Sequence, residues 1–508
     1  MLTKKFEELL ASVRVLWSTL LTGERFVEEQ PLRSELFSIE QFRSHARHIA
    51  RQHQISYKRG RNKLLVRLRE NKRVLAEIHD LLNETGKSKR RISPAGEWLL
   101  DNYYLIEEQI RLAQKFLPEG YIRELPHILR GPLSGYPRVY ELAMDLVSHG
   151  DGRLDAKGLA EFVGAYQDVC PLKLGELWAV PIMLRLALIE NLRRVSSRLI
   201  VSQTQRDKAG HWASRILEVS VGDADGVIRE LAAMSRAVPV LTDHFVAEFT
   251  RRLHGQSQAS SLPFAWLERK LSERGETLDG IIRLISQKQA ADQVSIANTI
   301  GSLRLLEITD WHDFVEDLSE VEKILRRDPS GDYGRMSFQT RDRYRHVIEQ
   351  IASRKRMSES EVALRAVEIA QAAKSSEASE PAASHVGYYL IDKGFGALCR
   401  KVHLRFFFRQ TLQGKKTFWP LVLYFGSIGG VTLVLSAGVL WWIRGTQAPG
   451  PLATGYFGVL LLLTASQTAV SLTNWLASLL VRPRTLPRMD FSEGIPGYAH
   501  TLTVIPCM

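Results

Sequence analysis

Two long apolar segments, residues 418–443 and 455–481, constrain the fold of this sequence more than any other feature. Neither segment contains a charged residue. A helix of about 26 residues rises roughly 39 Å, which exceeds the bilayer hydrocarbon core of about 30 Å and allows some tilt. The connecting residues 444–454 are rich in glycine and proline. The sequence therefore predicts two transmembrane helices joined by a short loop.

Basic residues flank both apolar segments on the sides that lead away from this loop. The residues that precede the first segment are Arg400, Lys401, Arg405, Arg409, Lys415 and Lys416, and those that follow the second are Arg482, Arg484 and Arg488. Lys and Arg accumulate on the cytoplasmic side of membrane helices. We therefore expect both flanks to be cytoplasmic and the loop to lie outside.

Several residues within the two segments are unusual for helices that contact only lipid. The first segment contains glycines that allow close helix approach, and the second contains polar residues that are costly in a bilayer. They are Gly426, Gly429 and Gly430, and Gln467, Ser471, Thr473 and Asn474. These positions predict additional membrane helices around the pair, or a dimer.

The composition of the other residues is that of a folded protein in a reducing compartment. The chain has 508 residues, enough for two to four domains, and a net charge of +12 that fits an anionic lipid surface. Cys170, Cys399 and Cys507 are widely spaced, which argues against a disulfide framework and against a cysteine metal site. Residues 9–21 are apolar but interrupted by Arg14, so we interpret them as an amphipathic helix rather than a secretory signal.

The order of patterns along the chain predicts a mainly α protein. Residues 1–373 form a helical cytoplasmic region, with a candidate subdomain break near residues 202–225. A small, polar linker (residues 374–386) and a basic juxtamembrane segment (residues 387–417) lead to the two membrane helices. In the tail, residues 482–508, an apolar run at 501–506 reads as a β-strand. Because one strand cannot stand alone, we expect it to be the first strand of an α/β domain that is truncated in this chain.

The segment between residues 42 and 73 is strongly basic, with Glu70 as its only acidic residue. Such a charge distribution is compatible with nucleic-acid binding, which releases counterions from a polyanion. The segment also contains a leucine stripe at helical spacing and few aromatic residues. We therefore prefer a solvated or lipid-facing helix surface, and we expect no nucleic acid.

Four other patterns are candidate functional sites. Glu97 and Asp101 lie four residues apart, but on an exposed helix face such carboxylates usually have no chemical role. The turn at residues 149–155 resembles a calcium loop but lacks its glycine and glutamate, so calcium is rejected. Arg185 and Glu190, on a core helix expected to bend at Pro181, are predicted to form a buried pair or, less favourably, a ligand clamp. The histidines without a partner at ligand spacing are interpreted as structural: His312 and His346.

A set of stretches, in order along nearly the whole chain, resembles the N-terminal region of bacterial cyclic β-1,2-glucan synthases. They are residues 93–104, 123–126, 135–140, 175–185 and 340–345, and residues 487–506 after the hairpin. The resemblance implies a multi-pass inner-membrane protein with a periplasmic loop at residues 444–454. It also implies that residues 482–508 begin a glycosyltransferase domain, with Cys507 standing where the family would have a threonine.

The resemblance further implies that the complete enzyme polymerises glucose from UDP-glucose, with a divalent metal (Mg²⁺ or Mn²⁺), into β-1,2-glucan and closes it into a ring. This chain stops before the catalytic motifs, so no catalytic, cofactor-binding or metal-binding residue is assigned and the chain is expected to be inactive alone. The expected partners are membrane lipid, the glycosyltransferase remainder and, as a candidate, the nascent glucan. The alternative interpretation is a membrane-anchored helical scaffold that binds a protein partner.

Overall fold

The computed structural model describes residues 29–60, 63–88, 92–219, 224–254, 261–355, 357–376, 380–404, 418–447, 450–480, 486–492, 494–495 and 497. The described residues are predominantly helical and contain almost no strand, which confirms the predicted fold class. The chain divides into two compact units, Met1–Leu318 and Ser319–Met508. The finer domain boundaries expected from the sequence stay predictions.

The first unit is built from helices and one minimal β-ladder. The strands β1 (Ile55–Ser56) and β2 (His127–Ile128) pair in antiparallel orientation. The helices are α1 (Ile39–Gln52), α2 (Lys63–Lys87), α3 (Pro94–Asp101), α4 (Tyr103–Phe116), α5 (Glu119–Glu124), α6 (Arg138–His149), α7 (Ala156–Gln167), α8 (Leu174–Val219), α9 (Ala224–Ala237), α10 (Asp243–Leu253), α11 (Ser261–Ser272), α12 (Leu278–Ile308) and α13 (Trp311–Leu318).

Helix α8, with 46 residues, is the central element of this unit. Its N-terminal half is buried on all sides, with residues such as Leu184, Leu188 and Leu192 fully inaccessible. Other helices of the unit therefore cover every face of this half. Pro181 lies within the helix, where it removes one backbone hydrogen bond near the N-terminal end, and the helix continues past it.

Two hydrophobic clusters lie along α8. The larger one surrounds its N-terminal half and includes residues of α1–α7, α12 and α13. The second surrounds Ala209, Ala213 and Ile216 near the C-terminal end and includes residues of α9–α12. The candidate break near residues 202–225 therefore falls on the part of α8 that belongs to the second cluster.

The N-terminal part of the predicted helical region is not one continuous helix. Residues 1–28 lie outside the described residues, and α1 begins only at Ile39, where Ser38 and Gln41 form a reciprocal capping box. The chain then forms β1 before α2 begins. At the start of α3, the Ser93 side chain accepts the Gly96 N–H and Pro94 occupies the first turn.

The second unit contains a small helical core and the two long apolar helices. The core elements are α14 (Glu320–Leu325), a 3₁₀ turn (Tyr333–Arg335), α15 (Phe338–Lys355), α16 (Glu359–Lys374), a second 3₁₀ turn (Pro381–Ser384), α17 (Val386–Ile391) and α18 (Phe395–Lys401). Their apolar side chains form one cluster, which includes Tyr344, Ile348, Leu390 and Leu398.

The two apolar helices are α19 (Phe418–Gln447) and α20 (Pro451–Leu480). They extend into most of the residues that the sequence assigned to a loop, 444–454. Gly445 does not end α19. Pro451 lies in the first turn of α20, where a backbone N–H would have no partner within the helix, so the N–H that proline lacks is not needed. The basic residues at 405–417 and the predicted strand at 501–506 lie outside the described residues.

Candidate functional site

The helical hairpin of α19 and α20 is the feature of the second unit that bears most directly on function. Both helices are long and apolar enough to cross a membrane. Their contact is made by small side chains, since the most buried residues of the pair are Thr432, Ser436, Ala469 and Thr473. Small residues allow two membrane helices to approach closely, which favours packing where no hydrophobic driving force exists.

The polar and glycine residues singled out in the sequence take different positions in this hairpin. Asn474 accepts a hydrogen bond from the Tyr424 hydroxyl at 2.8 Å. Gly426, Gly429 and Gly430 have no neighbouring atom within 4 Å of where a Cβ would stand. Gln467 and Ser471 are likewise exposed. In the part of the chain that the structure describes, these faces of the hairpin are therefore left uncovered.

The segment that follows the hairpin returns to the helical core of the second unit. The Ser337 N–H donates to the Arg488 carbonyl at 2.8 Å, and the Asp490 N–H donates to the Arg335 carbonyl at 2.7 Å. The Arg488 N–H donates to the Thr340 hydroxyl at 3.0 Å. These bonds form an isolated antiparallel bridge, which we call the tail bridge (residues 335–340 and 488–490). It holds the tail on the core.

A buried charge network supports the core side of the tail bridge. Glu322 accepts hydrogen bonds from Arg345 at 2.7 Å and from the Tyr333 hydroxyl at 2.7 Å. Arg341 lies near the same carboxylate and donates to the Met336 carbonyl at 2.5 Å. Burial, followed by the Glu322 charge, raises the pKa of Tyr333 well above its ordinary value. The phenol therefore stays protonated and can donate.

The same core includes residues that precede the hairpin in the sequence. After α18, His403 lies in the left-handed region at φ 50°, and the Leu404 N–H donates back to the Cys399 carbonyl at 2.8 Å. This is a C-terminal cap of the helix. Leu404 and Met489, which precede and follow the hairpin in the sequence, pack against the same apolar cluster.

An open cavity of about 730 Å³ lies beside this cap. Its lining combines apolar side chains with three cationic ones and a single carboxylate: Met357, Glu361, Arg365, Ile369, Ala397, Arg400, Lys401, Val402 and His403. Such a lining suits a ligand with an anionic group and an apolar part. A phospholipid at a membrane surface is one such ligand.

The predicted pair of Arg185 and Glu190 is wrong. Arg185 donates to the Gln109 side chain at 2.6 Å. Glu190 instead binds three arginines, of which Arg67 is bidentate at 2.7 and 2.9 Å. Burial alone would raise the pKa of Glu190, but the hydrogen bonds and charges of these arginines outweigh it and lower the pKa well below its usual range. The other two are Arg193 and Arg194.

Many cations of the basic segment at residues 42–73 contact acidic partners within the first unit. Arg43 binds Glu161, Arg47 binds Asp168, and Arg59 binds Glu124. Acidic residues of other helices therefore compensate part of the positive charge that appears uncompensated in the local sequence. The solvated or lipid-facing surface expected for this segment, and the expected lack of nucleic acid, stay predictions.

The other predicted candidates lie apart from one another. Glu97 and Asp101 are both exposed on α3. In the calcium-like turn, Asp151 forms an ion pair with Arg33 at 3.0 Å and has a φ of 47°, so the turn is held by an internal ion pair. The two histidines interpreted as structural contact carboxylates close to them in sequence, His312 with Asp310 and His346 with Glu349.

Sequence reasoning missed the tail bridge. The prediction for the tail concentrated on a strand at residues 501–506, whereas the described pairing uses residues 488–490. Its partners are about 150 positions away, and no local pattern at Ser337 or Thr340 indicates an open backbone edge. The stretches of the resemblance include the tail residues of the bridge, within 487–506, and on the core side only Thr340, the first residue of 340–345.

The described residues define a helical protein with two candidate membrane-spanning helices. No family model matches the chain. Over 451 residues, 87% of its length, the chain is 31% identical to the cyclic beta-(1,2)-glucan synthase NdvB of Rhizobium meliloti (strain 1021). The chain spans only 15% of the length of that relative. This similarity confirms the predicted relationship: the chain is related to the N-terminal region of a cyclic β-1,2-glucan synthase.

Proposed function

We propose that this chain is the N-terminal, membrane-anchoring part of a cyclic β-1,2-glucan synthase in the bacterial inner membrane. The complete enzyme would polymerise glucose from UDP-glucose, with Mg²⁺ or Mn²⁺, into β-1,2-glucan and cyclise it. The observation that carries the proposal is the hairpin of α19 and α20, preceded and followed in sequence by residues that pack on one helical core, in a chain similar to such a synthase. The role of the chain is to fix the glycosyltransferase domain at the membrane.

The proposed orientation places both flanks of the hairpin in the cytoplasm. Because the two spans are antiparallel, the start of α19 and the end of α20 lie on the same side of the membrane. The tail bridge is consistent with this arrangement. The flanks are rich in Lys and Arg, which supports a cytoplasmic location. Anionic phospholipid headgroups would bind at the cavity beside α18, where Arg400 and Lys401 supply positive charge.

The orientation is tested by labelling single introduced cysteines with a membrane-impermeant maleimide in intact spheroplasts. We expect Gln447→Cys, between the two spans, to be labelled from outside. Glu97→Cys, on the exposed face of α3, should be labelled only after permeabilisation. The unmodified chain gives the background from its own cysteines. Labelling of Glu97→Cys in intact spheroplasts would contradict the proposed orientation.

The synthase role is tested with membranes that contain the chain joined to the coding sequence of the remaining enzyme. Labelled UDP-glucose should yield protein-linked label that is later released as cyclic glucan. Membranes that contain this chain alone should yield none. If the joined protein is present in the membrane and incorporates no label, the proposed function is wrong.

The importance of the tail bridge is tested by Thr340→Val, which removes the hydroxyl that accepts the Arg488 N–H. Loss of one hydrogen bond at a largely buried position costs about 1 kcal/mol, or roughly a fivefold change in an opening equilibrium. We expect amide hydrogen exchange of residues 486–492 to accelerate by about that factor in the detergent-solubilised chain. Ser375→Ala, at the exposed end of α16, is the control and should leave this exchange unchanged.

A further inference from the structure

Two histidines and an aspartate converge between α1 and α6 in the first unit. Asp145 and His149 lie four residues apart on one face of α6, and His45 projects from α1. One nitrogen or carboxylate oxygen from each of the three residues lies within 4.8 Å of the other two. His45 Nε2 and Asp145 Oδ2 are 3.8 Å apart, too far for a hydrogen bond. The three side chains therefore approach one another without bonding directly.

A hydrogen bond and a stacking contact fix the orientation of the His149 ring. Its Nδ1 donates a hydrogen bond to the Glu35 carbonyl at 2.7 Å. The ring of Phe37 stacks on the imidazole, with centroids 3.7 Å apart and planes inclined by 10°. A proton on Nδ1 leaves a lone pair on Nε2. Donation of the other ring N–H to a backbone carbonyl is the arrangement commonly found for histidines that bind metal ions.

The His45 ring has a buried polar atom that is not satisfied. His45 Nε2 is buried and has no hydrogen-bond partner. The Asp145 Oδ2 atom lies 3.8 Å away from it. Leaving a buried polar atom without a partner is costly. A cation between the three residues would satisfy His45 Nε2 and bind the Asp145 carboxylate.

We propose that His45, Asp145 and His149 bind one divalent transition-metal ion and that Zn²⁺ is the ion they fit best. Two imidazole nitrogens and one carboxylate oxygen match the ligands of zinc, whereas Mg²⁺ and Ca²⁺ prefer oxygen ligands throughout. Ligands about 2.0–2.1 Å from zinc in a tetrahedral site are roughly 3.3 Å apart. Small side-chain rotations close the remaining gap, and a water molecule completes the coordination.

Such an ion would clamp α1 onto α6. Few other polar contacts join these two helices in the described chain. In one of them, Nε2 of His53, the residue that follows α1, lies 3.4 Å from Glu141 Oε2. The ion would also hold the segment at Glu35–Phe37 that leads into α1, since that segment contacts His149. The role is therefore structural: it fastens the first described helix to the core of the first unit.

The test uses the full chain, purified in detergent without a histidine tag, stripped with EDTA and titrated with Zn²⁺ and Co²⁺. Wild type should bind one more equivalent of Zn²⁺ than Asp145→Asn or His149→Gln, whose affinity at this site should fall at least 100-fold. The visible absorption of bound Co²⁺ should decrease in parallel. Zn²⁺ should raise the thermal midpoint of wild type but not of these two variants. His48→Ala is the matched control. His48 is exposed on the same helix, so its replacement should leave zinc binding intact.

Far-UV circular dichroism shows whether each variant retains its helices, and only folded variants are compared. Asp145→Asn and His149→Gln are made as separate single variants, so that either one can decide the outcome if the other misfolds. Equal stoichiometry and affinity for Zn²⁺ in wild type and in a folded Asp145→Asn or His149→Gln chain would overturn the proposal. An equal loss of binding in His48→Ala would overturn it as well.

Discussion

The buried ion pair between Arg138 of α6 and Glu176 of α8 offers a quantitative test of how the first unit is held together. Both side chains are completely inaccessible. The guanidinium donates to both carboxylate oxygens at 2.6 Å, and also to the Pro171 carbonyl at 2.9 Å. Burial lowers the pKa of Arg138, but bonding to Glu176 outweighs burial and raises that pKa above its ordinary value. The guanidinium is therefore charged across the physiological pH range.

Replacing Arg138 by methionine preserves much of its volume and removes its charge. Glu176 then keeps one described donor, the Lys173 N–H at 3.0 Å. Breaking a buried pair in this way costs about 3–5 kcal/mol, because the remaining charge is uncompensated. Replacing both members by apolar residues is often nearly neutral. We therefore expect Arg138→Met to be strongly destabilising and Arg138→Met with Glu176→Leu to recover most of the loss.

Amide hydrogen exchange measures this effect locally, which suits a chain of two units whose global unfolding need not be two-state. A loss of 3–5 kcal/mol corresponds to exchange about 100-fold to several thousand-fold faster in the α6 and α8 peptides. Glu97→Gln, at an exposed position, should have no effect. The reasoning would be refuted if Arg138→Met exchanged within threefold of wild type, or if the double variant were as labile as the single one.

Two further predictions concern the same unit. Burial, with the charges of Arg206 and Lys288, lowers the pKa of His244 to about 4. As the pH falls, the unfolded state therefore takes up a proton at this residue before the folded state does. The stability of α10 should accordingly fall by up to about 3 kcal/mol between pH 6.5 and 4. His244→Gln should flatten this decline in exchange measured against pH. A Cβ at Gly152, whose φ is +76°, would lie 2.3 Å from the Thr299 hydroxyl, so Gly152→Ala should lower the thermal midpoint. Gly131→Ala, at φ +102° with open space, should cost only backbone strain of about 1–2 kcal/mol.

The hairpin and the helix starts could be predicted from the sequence because they depend on local properties. A run of some 26 uncharged residues has few alternatives to a membrane helix. A serine before a proline has a direct role at a helix start, and Ser93 performs it. The extent of the loop between the spans was less predictable, because Gly445 and Pro451 are tolerated at the last and first turns of a helix.

The pairing of buried charges could not be predicted in the same way. Arg185 and Glu190 are five residues apart, which places them on different faces of one helix, so helical geometry alone argues against their contact. The actual partner of Arg185 is 76 positions away, and that of Glu190 on α2 is 123 positions away. The same limit applies to the proposed metal site. The spacing of Asp145 and His149 is visible in the sequence, but the contribution of His45 depends on how α1 packs against α6.

The stretches that carry the family resemblance lie opposite one another in these long-range contacts. Arg138 and Glu176 belong to two of them, residues 135–140 and 175–185, and the hydrogen bond from the Arg488 N–H to the Thr340 hydroxyl joins two others. The bridge has a mechanical consequence for the proposed anchor. Residues 488–490 follow α20 in the sequence and are held on the helical core by backbone hydrogen bonds. A change that loosens the bridge should therefore disturb the placement of a following domain even when both spans remain in the membrane.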